Sequence, residues 1–424
     1  MVPHLTTALN GPLLELEQRI LDANAAIERW FRLRWLGHEA PFYCSVDVRN
    51  SGFKLAPVDT NLFPGGFNNL GAAFLPLAVQ AAATAIGKIC PEAKNLLLVP
   101  ENHTRNKWYL ENVATLAAIL RQTGLEVRLG SLLYDEKTEL ETASGKKLLL
   151  EPLQRNGTRL GVEGFAPCAI LINNDLSAGV PEILQGLGEQ VLMPPLHAGW
   201  ATRRKSVHFA AYDEIAAEFS QLLQIDPWLV NPYHARCGEI DFHARAGEEC
   251  LAANVSMLLE KIRLKYLEYG IKEAPYVAVK ADAGTYGMGV MMVRDAAEVR
   301  DLNRKQRNKM AVVKEGLAVT DVIIQEGVHT MERVEEKAAE PVVYMIERHV
   351  IGGFYRVHGA RAADENLNAP GMHFVPLAFE QSCSTPDPHA SCDAPPNRFY
   401  AYGVVARLAL AAAGLELEQT APAT

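Results

Sequence analysis

The sequence of 424 residues lacks several features that would place it in a specialised class of protein. No apolar run approaches the roughly 18 residues that a membrane-spanning helix needs, and the start shows no basic segment followed by an apolar one. Lys and Arg number 41 against 50 Asp and Glu, giving a formal net charge of −9. General nucleic-acid binding needs a cationic surface instead. We therefore expect a cytoplasmic protein that binds neither membranes nor nucleic acids.

Patterns for disulfides and zinc are missing as well. The 7 cysteines are odd in number and scattered, and no two form a CxxC pair, which is typical of reduced thiols. No HExxH spacing and no GxSxG segment occurs, so the sequence disfavours a zinc hydrolase and a serine esterase. We expect the lone histidines to be packed or surface residues.

The chain has the composition of a soluble globular protein, with 49% hydrophobic and 21% charged residues. Its length predicts two or three packed units. Apolar residues at three- and four-residue intervals predict an amphipathic helix over 12–37. Strand and helix patterns alternate between 95 and 193, which predicts a parallel sheet. A ligand crevice is then expected beyond the strand ends, at 101–105 and 173–175.

The most informative segment is YVAVKADAGTYGMGVMMV at 276–293. An apolar strand runs up to Lys280, a loop carries Gly284, Gly287 and Gly289, and a second apolar strand follows. Glycines let a backbone approach a polyphosphate closely, and a lysine at the strand end can supply a cation to its oxygens. A Walker loop and a Rossmann motif are excluded because a helix follows both. The pattern predicts a phosphate-binding hairpin, and an ordinary glycine-bearing hairpin is the alternative.

A further apolar strand at 321–328 ends in Gln325, Glu326, Gly327 and Val328. This strand end suits an adenine, because backbone groups at 326–328 could pair with the base edge. The Glu326 carboxylate could accept from the amino group or the ribose. The alternative is a buried strand with an exposed end.

Two more strands are predicted within 340–371, with a turn at Gly352-Gly353 and Arg356 on the strand that follows. A guanidinium at that position could grip a phosphate bidentately. The basic run 203–205 could also face carboxylates or phosphates, and a solvated helix start is its alternative.

The segment DENLN at 364–368 groups carboxylates with amides. In an extended chain Asp364, Asn366 and Asn368 would share one face, so that hard oxygen ligands could converge on a cation such as Mg²⁺. A polar turn capped by Asx hydrogen bonds is the alternative.

The order of these features resembles the ATP-grasp superfamily over roughly 250–410, with a pre-ATP-grasp α/β domain fitting 40–230. Five segments together resemble the proteobacterial glutamate–cysteine ligase family of ATP-grasp type over nearly the whole chain. They are VDTNLFPGGFNNL (58–70), VKADAGTYGMGV (279–290), IIQEGV (323–328), GGFYRVHG (352–359) and ENLNAPGMHFVPL (365–377).

The resemblance implies an α/β (α+β) fold with an N-terminal helical segment 1–40 and a substrate-side, pre-ATP-grasp-like parallel-sheet domain 41–240. A two-lobed ATP-grasp region 241–424 would follow, with a flap lobe at about 250–325 and a second lobe at about 326–418. The implied reaction joins the γ-carboxyl of L-glutamate to L-cysteine, with ATP and Mg²⁺, through an acyl phosphate. The products would be γ-glutamylcysteine, ADP and phosphate, and a homo-oligomer stays open.

The resemblance also implies roles for particular residues. Lys280 and Arg356 would be catalytic, and Asp59 or Asn61 would receive an ammonium group while Arg49 and Lys54 pair with a carboxylate. The nucleotide would contact Lys280, Gly284, Gly287, Gly289, Gln325, Glu326 and Val328. Magnesium would be held by Glu365, Asn366 and Asn368, with Glu347 and Glu380 in reserve because 393–402 lacks the Glu-x-Asn that many ATP-grasp enzymes have. We expect Lys280, Arg356, Arg49 and Arg203 to face one cleft.

Two other readings stay open at this point. One keeps the fold and changes the substrates, as in a glutathione-synthetase-like enzyme or a peptide ligase. The other is a non-catalytic protein whose two lobes close on a small metabolite, which would not need Lys280. A dehydrogenase that uses NAD is disfavoured because the glycine loop lies between strands and no ribose-binding acid follows at the expected distance.

Overall fold

The computed structural model describes residues 11–188, 190–284, 288–376 and 399–422. The helices are α1 (Pro12–Asp22), α2 (Asn24–Gly37), α3 (Leu75–Ile89), α4 (Lys107–Gln122), α5 (Lys205–Leu223), α6 (Glu248–Glu268), α7 (Ala297–Arg300), α8 (Arg304–Ala311) and α9 (Tyr400–Thr420). The helix predicted over 12–37 is therefore two helices, because the chain breaks at Ala23, which lies between them.

The strands belong to three main sheets and one small hairpin. In chain order they are β1 (Tyr43–Asn50), β2 (Leu55–Asn61), β3 (Asn95–Pro100), β4 (Glu126–Ser131), β5 (Thr138–Glu141), β6 (Lys147–Pro152), β7 (Gln154–Asn156), β8 (Arg159–Gly161), β9 (Ala169–Asn173), β10 (Val191–Met193), β11 (His234–Cys237), β12 (Val277–Ala281), β13 (Val290–Val293), β14 (Val322–Glu326), β15 (Arg333–Val334), β16 (Lys337–Ile346), β17 (His349–His358) and β18 (Met372–Pro376).

The parallel sheet that the sequence predicts is present, in the order β10-β9-β3-β4-β6-β5 with only β5 antiparallel. Its central strands β3 and β9 are almost wholly buried apolar runs, as expected of a sheet that is covered on both faces. Helix α4 leads into β4 through Gly124, whose φ of +90° is the left-handed conformation that ends a helix at glycine. The α/β (α+β) class is therefore confirmed.

A second sheet is antiparallel and joins distant parts of the chain, in the order β18-β17-β16-β1-β2 with β15 beside β16. Strand β1 pairs with β16, so residues from the N-terminal 61 positions share a sheet with residues after 330. This sheet crosses the boundary near 240, and the domain limits 1–40, 41–240 and 241–424 stay predictions. A third sheet, β11-β14-β12-β13, contains the glycine hairpin and packs against α6.

The predicted turn at Gly352-Gly353 is wrong, because both glycines lie inside β17 and the chain turns at 347–348 instead. A bulge between Tyr344 and Met345 lies opposite them, and Gly352 has a φ of +123°. A Cβ on Gly353 would lie 2.4 Å from the backbone oxygen of Val342. The two glycines therefore permit a bulged, closely packed strand and not a turn.

Two helical stretches, Ala72–Ile89 and Tyr400–Thr420, are long and apolar enough to cross a membrane by length and composition alone. Core helices pass the same test, and 83% of the second stretch is buried inside the protein. The first buries Ala78, Ala82 and Ile86 in the core beside the parallel sheet. Both are explained as packing elements of the fold.

The five cysteines in the described residues are free thiols, as the sequence predicts. The sulfurs of Cys90 and Cys168 lie 2.7 Å apart and those of Cys237 and Cys250 lie 3.5 Å apart. The remaining two, at 383 and 392, lie outside the described residues.

Replacement of Gly353 tests the close packing of β16 and β17. Gly353→Ala should lower the free energy of unfolding by about 1–3 kcal/mol, because its methyl group would meet a backbone carbonyl that cannot yield cheaply. Gly359→Ala is the matched control, since its Cβ would meet only Lys337 side-chain carbons at 3.6 Å or more. Urea unfolding measures both, and equal stabilities would contradict the packing described here.

Candidate active site

An open cleft with about 690 Å³ of empty space lies between the antiparallel sheet of β1, β16 and β17 and the sheet of β12 and β14. It gathers most of the residues predicted for the site. Those that line it are Arg49, Asp59, Lys280, Gly284, Gln325, Glu326, Val328, Arg356, Asn366 and Asn368. Among the four predicted cations, Lys280, Arg356 and Arg49 face the cleft as expected.

A row of alternating charges crosses one wall of the cleft. The Arg49 Nε donates to Glu340 Oε2 at 2.7 Å, and Arg356 NH1 donates to Glu340 Oε1 at 2.6 Å. The guanidinium of Arg356 also donates to both oxygens of Asp47, at 2.7 and 3.2 Å. The row thus runs over three neighbouring strands, β1, β16 and β17, with Glu340 and Arg356 directly opposite in register.

The row sets the charge states of its carboxylates. Burial alone would raise the pKa of Glu340, but the two arginines outweigh it and hold that pKa below its ordinary value. Asp47 differs, because burial raises its pKa more than Arg356 lowers it, and nearby Glu340 and Asp59 add to the rise. The Arg356 Nε is buried and has no hydrogen-bond partner among the described residues. One donor of this guanidinium therefore stays available to a bound molecule.

A second group of charges lies on the opposite wall. Lys280 donates to Val58 O at 2.7 Å and to Gln325 Oε1 at 2.6 Å. Burial lowers the pKa of Lys280 to about 8, with the cations of Lys205 and Arg49 helping. Although burial raises the pKa of Asp59, Lys205 and Lys280 bring it down to about 2. The Lys205 Nζ lies 2.5 Å from Asp59 Oδ1 and 4.4 Å from the centre of the Trp200 ring.

Strand β14 separates its two polar residues onto opposite faces, as the two-residue period of a strand requires. Gln325 points to Lys280 in the cleft, and its Nε2 is buried without a partner among the described residues. The carboxylate of Glu326 accepts from Lys54 at 2.7 Å, from the Trp228 indole at 3.0 Å and from the Tyr233 amide at 2.9 Å. Those three residues are not part of the cleft lining.

Lys54 is therefore a correction to the predicted substrate site. Its side chain is 0% exposed, lies 4.3 Å from the centre of the Trp228 ring and is paired with Glu326. Burial lowers its pKa to about 8 in spite of that pair. The Lys54 ammonium does not line the cleft, and the Glu326 carboxylate is bonded to Lys54, Trp228 and the Tyr233 amide.

Other predicted residues also lie apart from the cleft. Asn61 caps its own turn by accepting from the Phe63 amide at 2.9 Å. Gly289 lies beside the cleft and packs against Ala281 and Val313. Arg203 is buried just before the start of α5, where Glu416 of α9 binds it bidentately at 2.8 and 3.0 Å. Gly287, Glu380 and 393–398 lie outside the described residues.

Of the predicted metal ligands, Asn366 and Asn368 line the cleft and Glu365 does not. Residues 364–368 form a turn, in which the Asn366 side chain accepts from the Asn368 amide at 3.0 Å, so the Asx alternative is observed. The Glu365 carboxylate accepts from Arg361 and from the Ala362 amide, both at 2.8 Å, and does not line the cleft. Glu347 pairs with Lys88 and Arg348 instead. In the described part of the chain no three His, Cys, Asp or Glu residues form a metal cluster.

Sequence reasoning gave no role to Asp47, Tyr276 and Glu340, which line the cleft, and considered Lys205 only as part of the basic run 203–205. Two of them carried a usable signal. Asp47 is two positions before Arg49, which places both on one face of a strand, and Lys205 ends the basic run that starts at Arg203. Glu340 and Tyr276 carried no such signal in the sequence, because their places in the cleft depend on which strands lie side by side.

A glycine hairpin, four cationic side chains and three carboxylates around one cleft define an α/β enzyme with a site for an anionic substrate. The family model described as glutamate-cysteine ligase matches residues 17–417. The chain therefore belongs to the glutamate–cysteine ligase family. It is an ATP-dependent enzyme that joins glutamate to cysteine, as the sequence resemblance implied.

Solved structures were also compared with the chain. A provisionally named gamma-glutamylcysteine synthetase from Methylobacillus flagellatus KT is 66% identical, covers 99% of both chains and has a TM-score of 0.90. The D-cycloserine synthetase DcsG is 13% identical over 77% of this chain and 81% of its own, at a TM-score of 0.36. D-alanyl-alanine synthetase A from Vibrio cholerae is 9% identical over 75% of this chain and 81% of its own, at a TM-score of 0.33. Curated proteins show no significant match.

Replacement of Lys54 distinguishes an internal ion pair from a substrate contact. Lys54→Met should lower the free energy of unfolding by about 3–5 kcal/mol, because it leaves Glu326 charged and buried. The double variant Lys54→Met/Glu326→Gln should regain part of that loss. Folded Lys54→Met enzyme should keep the wild-type KM for glutamate, and a raised KM without a loss of stability would restore Lys54 to the substrate site.

Proposed function

We propose that ATP and glutamate bind together in this cleft, and that the γ-carboxylate is activated there as an acyl phosphate before cysteine attacks. The observation that carries the proposal is the concentration of Arg49, Lys205, Lys280 and Arg356 around one cleft of a chain whose net charge is −9. A carboxylate is a poor electrophile, and its phosphorylation brings several negative charges together. Cations fixed beforehand stabilise that crowding without reorganisation.

The nucleotide is assigned to the wall formed by β12, β13 and β14. Lys280 is held at the end of β12 by a carbonyl and an amide oxygen, which leaves its charge directed at the cleft and available to phosphate oxygens. Ala278, Met288 and Met292 offer an apolar surface for a base, and the unpartnered Gln325 Nε2 is a donor beside it. These contacts support a role in base recognition for the side chain of Gln325 and not for that of Glu326.

The backbone at 326–328 suits a base edge less well than expected. The Gly327 amide already donates to Tyr276 O at 2.8 Å, and Val328 O accepts from Arg49 at 3.1 Å and from the Tyr276 hydroxyl at 2.8 Å. These hydrogen bonds would have to be exchanged for bonds to adenine. We therefore assign recognition of the base to Gln325 and the apolar wall.

Arg356 is assigned to the transferred phosphoryl group. It is locked by Asp47 and Glu340 on one side, and its free Nε supplies a further donor. Arg49 is assigned to positioning, because all of its contacts hold protein groups, including Glu365 O at 2.6 Å. For the amino groups of the substrates, Asp59 and Asp47 are assigned from among the carboxylates that line the cleft.

Magnesium is assigned to this cleft as part of the proposal, and its residues fit by donor type. Among the hard oxygens that line it, those of Asn366 and Asn368 would hold the ion, because the carboxylates of Asp47 and Glu340 already accept from Arg356 and Arg49. When bound, Mg²⁺ neutralises charge on the polyphosphate. Glu365 is left out, because its carboxylate is bonded to Arg361 and to the Ala362 amide.

The composition supports further proposals about the setting of the enzyme. Free thiols and the acidic balance support a cytoplasmic location and no binding to nucleic acids or membranes. A homo-oligomer stays an open proposal.

The direct test is the dependence of the reaction on its substrates. Purified protein should release phosphate from ATP only with glutamate, cysteine and Mg²⁺ together, and mass spectrometry should detect γ-glutamylcysteine. Release with another pair of amino acids and not with this one would favour a different carboxylate–amine ligase. Binding of ATP or amino acids without any turnover would favour a non-catalytic binding protein.

Lys280 is the residue whose loss should matter most. Lys280→Met keeps the aliphatic stem and removes the charge, so kcat should fall by about 10²- to 10³-fold while the fold is retained. Lys305→Met, at an exposed position of the same lobe, is the matched control and should behave as wild type. An active Lys280→Met enzyme would remove the hairpin from the nucleotide site.

A further inference from the structure

The Lys314 ammonium lies between two carboxylates at the edge of the parallel sheet. Its Nζ is 2.7 Å from Glu101 Oε2 and 3.0 Å from Asp175 Oδ1. Glu101 follows β3 and Asp175 follows β9, so both lie at the carboxyl ends of neighbouring parallel strands. The sequence predicts a ligand crevice at this edge. In the structure, Lys314 reaches the edge from the loop that follows α8.

The three side chains are at most 10% exposed. Although burial lowers the pKa of Lys314, the two carboxylates raise it above its ordinary value, so the ammonium stays charged. Taking three charges out of water is costly, so this buried group of charges is weak evidence for a gain in stability. The three side chains join the loop that follows α8 to the edge of the parallel sheet.

Val313, next to Lys314, is in contact with the glycine hairpin. A Cβ added to Gly284 or to Gly289 would lie 3.2 Å from Val313 Cγ1, so the valine packs directly against the backbone of both glycines. The Val313 amide donates to Leu317 O at 2.9 Å, which closes the loop that carries it. Gly284 lines the cleft, whereas Lys314 does not.

We propose that Lys314 is a positioning residue for the ligation reaction: held by Glu101 and Asp175, it fixes Val313 beneath Gly284 and Gly289. The parallel sheet thereby determines where the backbone of the hairpin meets the nucleotide. The inference rests on the nucleotide role proposed above for that hairpin. Lys314 acts through Val313 and touches no reacting group.

Lys314→Met tests the inference through two quantities that a merely structural ion pair would not change. The Kd for ATP, measured by calorimetry, should rise about fivefold, a change within the range that coupled positions produce. Phosphate release should exceed the formation of γ-glutamylcysteine, because a misplaced hairpin admits water to the acyl phosphate. The thermal midpoint, recorded in parallel, shows whether the variant is still folded at the assay temperature.

Three further variants control the experiment. Lys314→Arg keeps the charge and should restore both quantities towards wild type. Glu101→Gln and Asp175→Asn each remove one carboxylate and should shift both quantities in the same direction as Lys314→Met. Lys309→Met, at an exposed position of the same lobe, should change neither.

An unchanged Kd for ATP and equal yields of phosphate and dipeptide in folded Lys314→Met would overturn the inference. A lower thermal midpoint with the Kd and the two yields unchanged would also overturn the inference. The proposed function fails separately, if the wild-type protein makes no γ-glutamylcysteine at all. In that case the Kd for ATP still decides whether Lys314 positions the hairpin.

Discussion

The cleft depends on a buried row of alternating charges, Asp47, Arg356, Glu340 and Arg49. Glu340 accepts hydrogen bonds from both arginines and Asp47 accepts two from Arg356, with nitrogen–oxygen distances of 2.6 to 3.2 Å. Four charged groups in such a place would be prohibitively costly if any one lacked its partners. The row therefore holds strands β1, β16 and β17 in one relative position. It also reaches the neighbouring elements, because Arg49 donates to the backbone of Val328 and Glu365.

That arrangement explains why catalysis and architecture are hard to separate here. In the role proposed for it, Arg356 would stabilise a phosphoryl group while Asp47 and Glu340 hold its plane, with Nε among the donors left over. Lys280 is prepared in a similar way by Val58 O and Gln325. In both cases neutral or anionic protein groups orient a cation before any substrate arrives. Under the proposed function, a chain with an excess of acid would bind a polyanion through the cations that are concentrated and oriented in this cleft.

Local patterns in the sequence predicted the elements well. The strand at 95–100 and the strand that runs up to Lys280 follow from periodicity. Lys280, Gln325 and Arg356, which line the cleft, were predicted because each sits at a recognisable place on a strand. Pairing between distant segments could not be read in this way. Glu340 had no motif around it, and Lys54 and Glu326 each looked like a binding residue. They form an ion pair with each other although they are 272 positions apart in the chain.

The same limit explains the predicted turn at Gly352-Gly353. Two adjacent glycines usually signal a turn, since they tolerate conformations that other residues avoid. They serve here to let β17 pass close to the carbonyl of Val342 and to accommodate the bulge at Tyr344. Close approach and reversal of the chain leave the same signature in a sequence. Only the partner strand distinguishes them, and that strand in turn pairs with β1, which arrives from the far end of the chain. The cleft is consequently a property of the whole chain, since the sheet that carries Arg356 is incomplete without residues 43–61.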